Sequence, residues 1–241
     1  MGRAHEVRAA SMAKTAAAKS KVYAKHGKLI YIAAKAGVPD PEMNLALKAA
    51  IEKAKKDNVP ADNIKRAIEK AKGGSNESYD SVRYEGYGPN NSMFIIECLT
   101  DNVNRTYTNV RTIVTKTGCK LSAPGSVTYM FDYLSVFSFV GMTDEEVLEI
   151  LLMEDCEVTD VVLEDGLVTV TAPSTEYNKV RTALLNANPE MNFLEDEIKW
   201  VPQSYVELTD EKDIEHYERL LAQLEDNDDV QDVYHNMVVN K

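Results

Sequence analysis

LSVFSFVGMTDEEVLEILLMEDCEVTDVVLEDGLVTVTAPSTEYNKVRTALLNANPEMNFLEDEIKWV, residues 134–201, decides the fold. It reads as strand, helix, strand, strand, helix, strand, the order of a ferredoxin-like split βαβ unit, with Glu164-Asp165-Gly166 turning the central hairpin. Upstream, alternating aromatic and β-branched runs predict strands at about 82–87, 92–99 and 126–132, with a helix at about 103–117. Past Pro202 a helix at about 210–223 and a strand at about 230–236 supply what that upstream sheet needs to close. The expected organisation is therefore an inserted α/β domain, 134–201, within a central α/β domain, 77–133 plus 202–241. The fold class is α+β: an N-terminal three-helix bundle plus two α/β domains, at least one of them ferredoxin-like. At 241 residues the chain is long enough for two or three such domains.

Residues 1–76 are the expected helical domain. Alanine-rich sequence from Ala13 to Ala36 predicts the first helix, with Val22, Leu29, Ile30 and Ala33 on its apolar side and Gly37 ending it. Val38-Pro39-Asp40-Pro41 breaks the chain, and Asp40 as cap with Pro41 at the first turn predicts a second helix running to Asp57. After Asn58-Val59-Pro60, Ile64, Ala67, Ile68 and Ala71 recur at helical spacing until Gly73-Gly74 stops the third helix.

Charge is split along the chain. The formal net charge is −12, yet residues 1–72 hold sixteen Lys/Arg against seven Asp/Glu, a net of +9. Of the chain's 27 basic and 39 acidic residues, 11 and 32 remain for the rest, a net of −21. Clustered cations release counterions from a phosphate backbone, which is the sequence-independent part of nucleic-acid binding. On a continuous helix Lys14, Lys21, Lys25, Lys28 and Lys35 fall within about 40° of Lys21, a single stripe. Lys19 lies opposite, and the stripe has none of the interleaved acids of a merely solvated face. Lys65, Arg66, Lys70 and Lys72 extend the cationic surface to the third helix.

Other chemistry finds little support. There is no GxSxG elbow, the histidines stand far apart at 5, 26, 216 and 235, and no catalytic residue is nominated. Gly86-Tyr87-Gly88-Pro89-Asn90 lacks a Walker lysine and reads as a tight turn. Glu225-Asp226-Asn227-Asp228-Asp229 lacks the glycine and distal glutamate of an EF-hand and reads as a solvated helix end. His235 reads as a hydrogen-bonded structural histidine. Cys98, Cys119 and Cys156 are dispersed and odd in number, which predicts buried free thiols in a reducing compartment rather than a zinc site or disulfides. No cofactor or metal is expected. No window approaches a membrane-spanning length, and the N-terminus has no apolar signal region, although its basic, acid-poor composition is shared with organelle transit peptides.

Several segments together resemble one family: Ser20–Lys25 (SKVYAK), Pro39–Glu42 (PDPE), Ala50–Lys55 (AIEKAK), Arg66–Gly74 (RAIEKAKGG), Arg83–Asn90 (RYEGYGPN), Leu99–Thr106 (LTDNVNRT), Gly125–Val127, Met130–Asp132 and Leu224–Asn236 (LEDNDDVQDVYHN). The chain resembles the YebC/PmpR family of probable transcriptional regulators. That resemblance implies a three-domain cytoplasmic protein, with some relatives described as DNA-binding repressors or activators and others acting on ribosomes as translational activators. Relatives usually begin Gly-His-Ser-Lys-Trp, whereas this chain begins Gly2-Arg3-Ala4-His5-Glu6-Val7-Arg8 and is more similar to the shorter-headed YeeN-like branch.

The expected function is a nucleic-acid-binding regulator of gene expression, with DNA as partner and ribosomal RNA as the alternative. Its expected phosphate contacts are Lys14, Lys21, Lys25, Lys28, Lys35, Lys65, Arg66, Lys70 and Lys72, with Arg83, Arg105 and Arg111 as secondary anion contacts. The ranking below these is an enzyme whose cleft would gather Asp101, Arg105, Arg111 and Asp132. No membrane partner is expected, and the oligomeric state, monomer included, is left open.

Overall fold

The computed structural model describes residues 3–73 and 77–239, with side chains from Lys19 onward. In chain order the elements are α1 (Arg3–Ala36), α2 (Leu45–Lys56), α3 (Ala61–Lys72), β1 (Asp80–Tyr87), β2 (Met93–Thr100), α4 (Val103–Lys116), β3 (Lys120–Ser122), β4 (Phe131–Val140), α5 (Asp144–Met153), β5 (Asp160–Glu164), β6 (Leu167–Pro173), α6 (Tyr177–Ala187), β7 (Glu195–Pro202), β8 (Val206–Glu207), α7 (Glu211–Glu225), β9 (Val230–His235) and β10 (Met237–Val238). The fold class is α+β, as expected. The chain divides into two compact units, Met1–Pro124 with Glu207–Lys241, and Gly125–Val206. The helices thus share a unit with the first sheet.

The second unit carries its sheet in the order β5-β6-β4-β7, every neighbouring pair antiparallel. With β4, β5, β6 and β7 as successive strands of a β-α-β-β-α-β chain, this is the ferredoxin-like arrangement. The β5–β6 hairpin turns on two residues, Asp165 (φ 49°) and Gly166 (φ 81°), whose positive φ gives the primed turn that matches strand twist. α5 begins with a capping box in which Thr143 accepts from Glu146 N and Glu146 accepts from Thr143 N. One face of the sheet is closed by Phe137, Phe139, Val168 and Val170 against Val147 and Leu151 of α5 and Val180 and Leu184 of α6. Each such side chain contributes about 2 kcal/mol of transfer free energy.

In the first unit the sheet order is β3-β1-β2-β9. Phe94, Ile96 and Cys98 of β2 pack on Val110 and Val114 of α4 and Leu220 and Leu224 of α7. Gly86 is a packing residue: a Cβ there would lie 2.4 Å from the Phe94 ring and 2.5 Å from the Lys120 carbonyl oxygen. The turn that follows places Asn90 (φ 52°) and Asn91 (φ 56°) in the left-handed region.

The three helices have a core of their own, Ile30 and Ala34 of α1 with Leu47, Ile51 and Ala54 of α2, Val59, and Ile64 and Ala67 of α3. No residue of this core belongs to the core beneath the sheet. Val22, expected on the apolar side of α1, is exposed, whereas its neighbour Tyr23 packs against the helical core.

Several boundaries differ from the expectation. α1 begins at Arg3 instead of Ala13. α2 starts at Leu45, not Pro41, because Asn44 caps it: its Oδ1 accepts from Leu47 N, and its Nδ2 donates to the Ala33 and Val38 carbonyls. One asparagine so closes both ends of the α1–α2 connection. Residues 126–132 hold a short 3-10 turn, Thr128–Met130, before β4 starts at Phe131. β3, of three residues, has no sequence signal of its own.

Candidate nucleic-acid interface

The expected cations fall into two groups. On α3, Lys65, Arg66, Lys70 and Lys72 are all exposed, because Ile64 and Ala67 turn the opposite side of the helix into the core. Among the described residues Lys65 and Lys72 have no hydrogen-bond or ion-pair partner, and they flank a shallow depression whose other wall is Pro39, Asp40 and Pro41. Arg66 is held within its own helix, donating to Asn63 Oδ1 at 2.7 Å and the Asp62 carbonyl at 3.2 Å. On α2, Lys48 and Lys55 are exposed two turns apart, the spacing of Lys65 and Lys72 on α3.

The α1 stripe is turned the other way, toward acidic neighbours. Lys21 pairs with Asp226. Lys28 is largely buried and donates to Asp229 Oδ1 at 2.9 Å, to the Asp228 carbonyl at 2.8 Å and to the Leu99 carbonyl at 3.2 Å. Between them, burial pushes the Lys25 ammonium below its usual range, although Asp232, Glu225 and Asp228 pull it up. Lys35 donates to the Glu77 carbonyl at 2.9 Å and to the Tyr31 hydroxyl at 3.1 Å. Lys70 pairs with Glu77 Oε2 at 2.6 Å. Lys14 lies outside the residues whose side chains are described, as does the departure at Gly2–Arg8. Lys19, on the far side of α1, stands exposed, as its position on the helix predicts, and Lys35 near the helix end is exposed as well.

The acidic run is correspondingly more than a solvated helix end. Asp229 is 6% exposed and accepts from Lys28, from Arg105 at 2.9 Å and from Thr106 Oγ1 at 2.8 Å. Burial alone would raise its carboxyl, but these three donors hold it below the ordinary aspartate value. Arg105 also reaches Asp101 at 2.7 Å, which raises its guanidinium further, so it is an internal ion-pair partner instead of a free anion contact. Arg83 pairs with Glu97 at 3.2 Å across the β1–β2 hairpin. Arg111 remains exposed on α4.

What the sequence did not reveal is the counter-surface, since Asp226 and Asp229 lie some 200 residues from the lysines they meet. The one available signal was the match between an uninterrupted cationic stripe and an acidic run. Elsewhere, His26 Nε2 meets Asp57 Oδ2 at 2.6 Å and His235 Nε2 lies 3.3 Å from the Tyr217 hydroxyl. The three cysteines are buried free thiols, and burial pushes Cys98 up to about 12. Among the described residues no cluster of His, Cys, Asp and Glu is arranged to hold a metal ion, and no helix is long and apolar enough to cross a membrane.

Comparison with known proteins adds the family. Residues 3–74 match the model described as the TACO1/YebC protein N-terminal domain, and residues 79–237 match the TACO1/YebC second and third domain. The chain belongs to the TACO1/YebC family. The family boundary between the two models, 74 to 79, falls where α3 gives way to β1. Within the family the chain is 56% identical over 99% of both chains to a probable transcriptional regulatory protein of Pseudoalteromonas translucida, and 54% identical, again over 99% of both, to one of Alteromonas mediterranea. A protein of Shewanella oneidensis with the same description is 52% identical over 98% of each chain. Among solved structures, a conserved hypothetical protein of Aquifex aeolicus is similar at a TM-score of 0.77 and 34% identity, covering 92% of this chain and 91% of that one.

Proposed function

We propose that the chain is a nucleic-acid-binding regulator of gene expression, with DNA as its polymer, working without catalysis in the cytoplasm. The observation that carries this reading is the open cationic surface of α3, where Lys65 and Lys72 stand exposed on a segment of net +9 joined to a remainder of net −21. Lys65, Arg66, Lys70 and Lys72 are the proposed phosphate contacts, with Lys48 and Lys55 of α2 beside them in sequence. The acidic remainder keeps the protein from collapsing onto the polymer. The descriptions of its relatives as probable transcriptional regulatory proteins support the same reading.

Contacts of this kind position a protein without reading bases. Arg66, the one arginine on α3, spends donors on Asn63 and Asp62. Recognition therefore follows backbone charge and shape. The non-catalytic part of the reading is supported by Asp101 and Arg105, which pair with each other.

Fluorescence anisotropy with duplex DNA and with structured RNA of equal length, each over a salt series, tests the reading. Duplex DNA binds at least as tightly as RNA, and log K falls with log salt at a slope of about −4, for four to five phosphates engaged. A salt-independent affinity overturns the polyanion reading, and strong preference for RNA replaces transcription by a ribosomal role.

A further inference from the structure

We infer that Lys21 and Lys25 form a second, masked polyanion site, covered by Glu225, Asp226 and Asp232, which line the same cavity and stand in for the phosphates of a nucleic-acid backbone. The inference rests on the nucleic-acid reading above and adds a regulation to it.

Three observations carry it. The first is complementarity: α1 presents Lys21, Lys25 and Lys28 at helical spacing with no acid between them, and the segment from α7 into β9 presents carboxylates to each. The second is the nature of the contact. The fully buried core of the helices begins at Ile30, with Tyr23 packed against it, and shares no residue with the core under the sheet, so no hydrophobic seam described in either core fastens the Lys21–Lys25 turn to α7 and β9. Instead a cavity of about 710 Å3 lies between Lys21, Val22 and Lys25 on one side and α7 and β9 on the other.

The third is a gradient of strength along the row. The Lys21–Asp226 pair is solvated, with side-chain exposures of 32% and 75%, and such pairs contribute little net stability and weaken in salt. Lys28 and Asp229, at 17% and 8%, are buried and multiply hydrogen-bonded. A polyanion can therefore displace the acids from Lys21 and Lys25 while the Lys28–Asp229 contact keeps α1 attached. The effect is competitive: a weak or short polyanion meets only the α3 surface, and a long one that reaches α1 gains two phosphate contacts whose free energy is largely offset by displacing the acids.

The test uses the full chain and a duplex DNA of about 30 base pairs, long enough to reach beyond one helical face. Joint replacement E225Q/D226N/D232N is expected to tighten binding about tenfold at low salt and to steepen the salt slope by about 2, one for each lysine released. Adding K21Q/K25Q to that variant abolishes the gain, whereas K21Q/K25Q in the unaltered chain changes affinity less than twofold. A charge-matched control, E145Q/E149Q/E154Q in and after α5, changes affinity by less than half of the logarithmic gain. The inference is overturned if the control gains as much, if the gain persists without Lys21 and Lys25, or if K21Q/K25Q alone weakens the unaltered chain more than fivefold, which would mean the row is already open. Failure of the nucleic-acid reading is separately visible, as absence of salt-dependent binding in all variants.

Discussion

Changing Lys65, Arg66 and Lys72 together to glutamate lowers affinity for duplex DNA of any sequence by at least about a hundredfold at low salt, and flattens the salt slope by roughly 3. Each cation is exposed, so the substitution removes phosphate contacts and adds repulsion without disturbing Ile64 or Ala67, which hold α3 in its core. Sequence independence follows from the chemistry: lysine ammoniums on an exposed helix face act as point charges, and the arginine is tied to Asn63. Measurement is by anisotropy on random-sequence duplexes, with far-ultraviolet circular dichroism to establish unchanged helix content. Retained affinity takes α3 out of the interface.

The second large effect concerns stability. Asp229→Ala removes the buried carboxylate shared by Lys28, Thr106 and Arg105, leaving Lys28 with backbone carbonyls and Arg105 with Asp101 as its one remaining ion-pair partner among the described residues, and costs about 3 kcal/mol, toward the lower end for broken buried pairs because Arg105 is half exposed. In thermal unfolding followed by circular dichroism the transition of the first unit falls by about 6–10 °C. The pH dependence has a definite sign. The carboxyl is held below the ordinary aspartate value of 3.8, so it stabilises the folded state fully above that value, and the contribution is lost as pH falls through the lower folded value. The destabilisation caused by Asp229→Ala is thus largest at neutral pH and shrinks below pH about 4. A difference that stays constant from neutral pH down into that range would show that Asp229 does not act as a carboxylate.

Local chemistry explains which elements were legible in the sequence. Asp165-Gly166 had to turn a hairpin because two consecutive positive φ angles suit few other pairs, and the strand and helix periods around it fixed the ferredoxin-like unit. The start of α2 was misplaced because two cap signals competed. Pro41 offers a preset φ, but Asn44 offers an acceptor for Leu47 N and donors for the Ala33 and Val38 carbonyls, and three hydrogen bonds outweigh one favourable dihedral.

For the candidate site, periodicity placed the α1 lysines on one face and could not say what that face meets. A row of cations looks the same in sequence whether it awaits phosphates or already faces carboxylates. Its occupants, Asp226 and Asp229, are brought there by the closure of β9 against β2, a contact between the two ends of the sheet segment. The exposure of the α3 cations was legible because it follows from the burial of Ile64 and Ala67 on the opposite side of the helix.

Lysine-modification footprinting of the full chain, read by mass spectrometry with and without saturating duplex DNA, tests the central claim that the helical segment is the polyanion-binding surface. Lys65 and Lys72 are reactive in the free protein and become protected by DNA, while Lys116 and Lys179 react equally in both states. Protection of Lys116 or Lys179 with Lys65 and Lys72 still reactive would place the nucleic acid elsewhere and contradict the account.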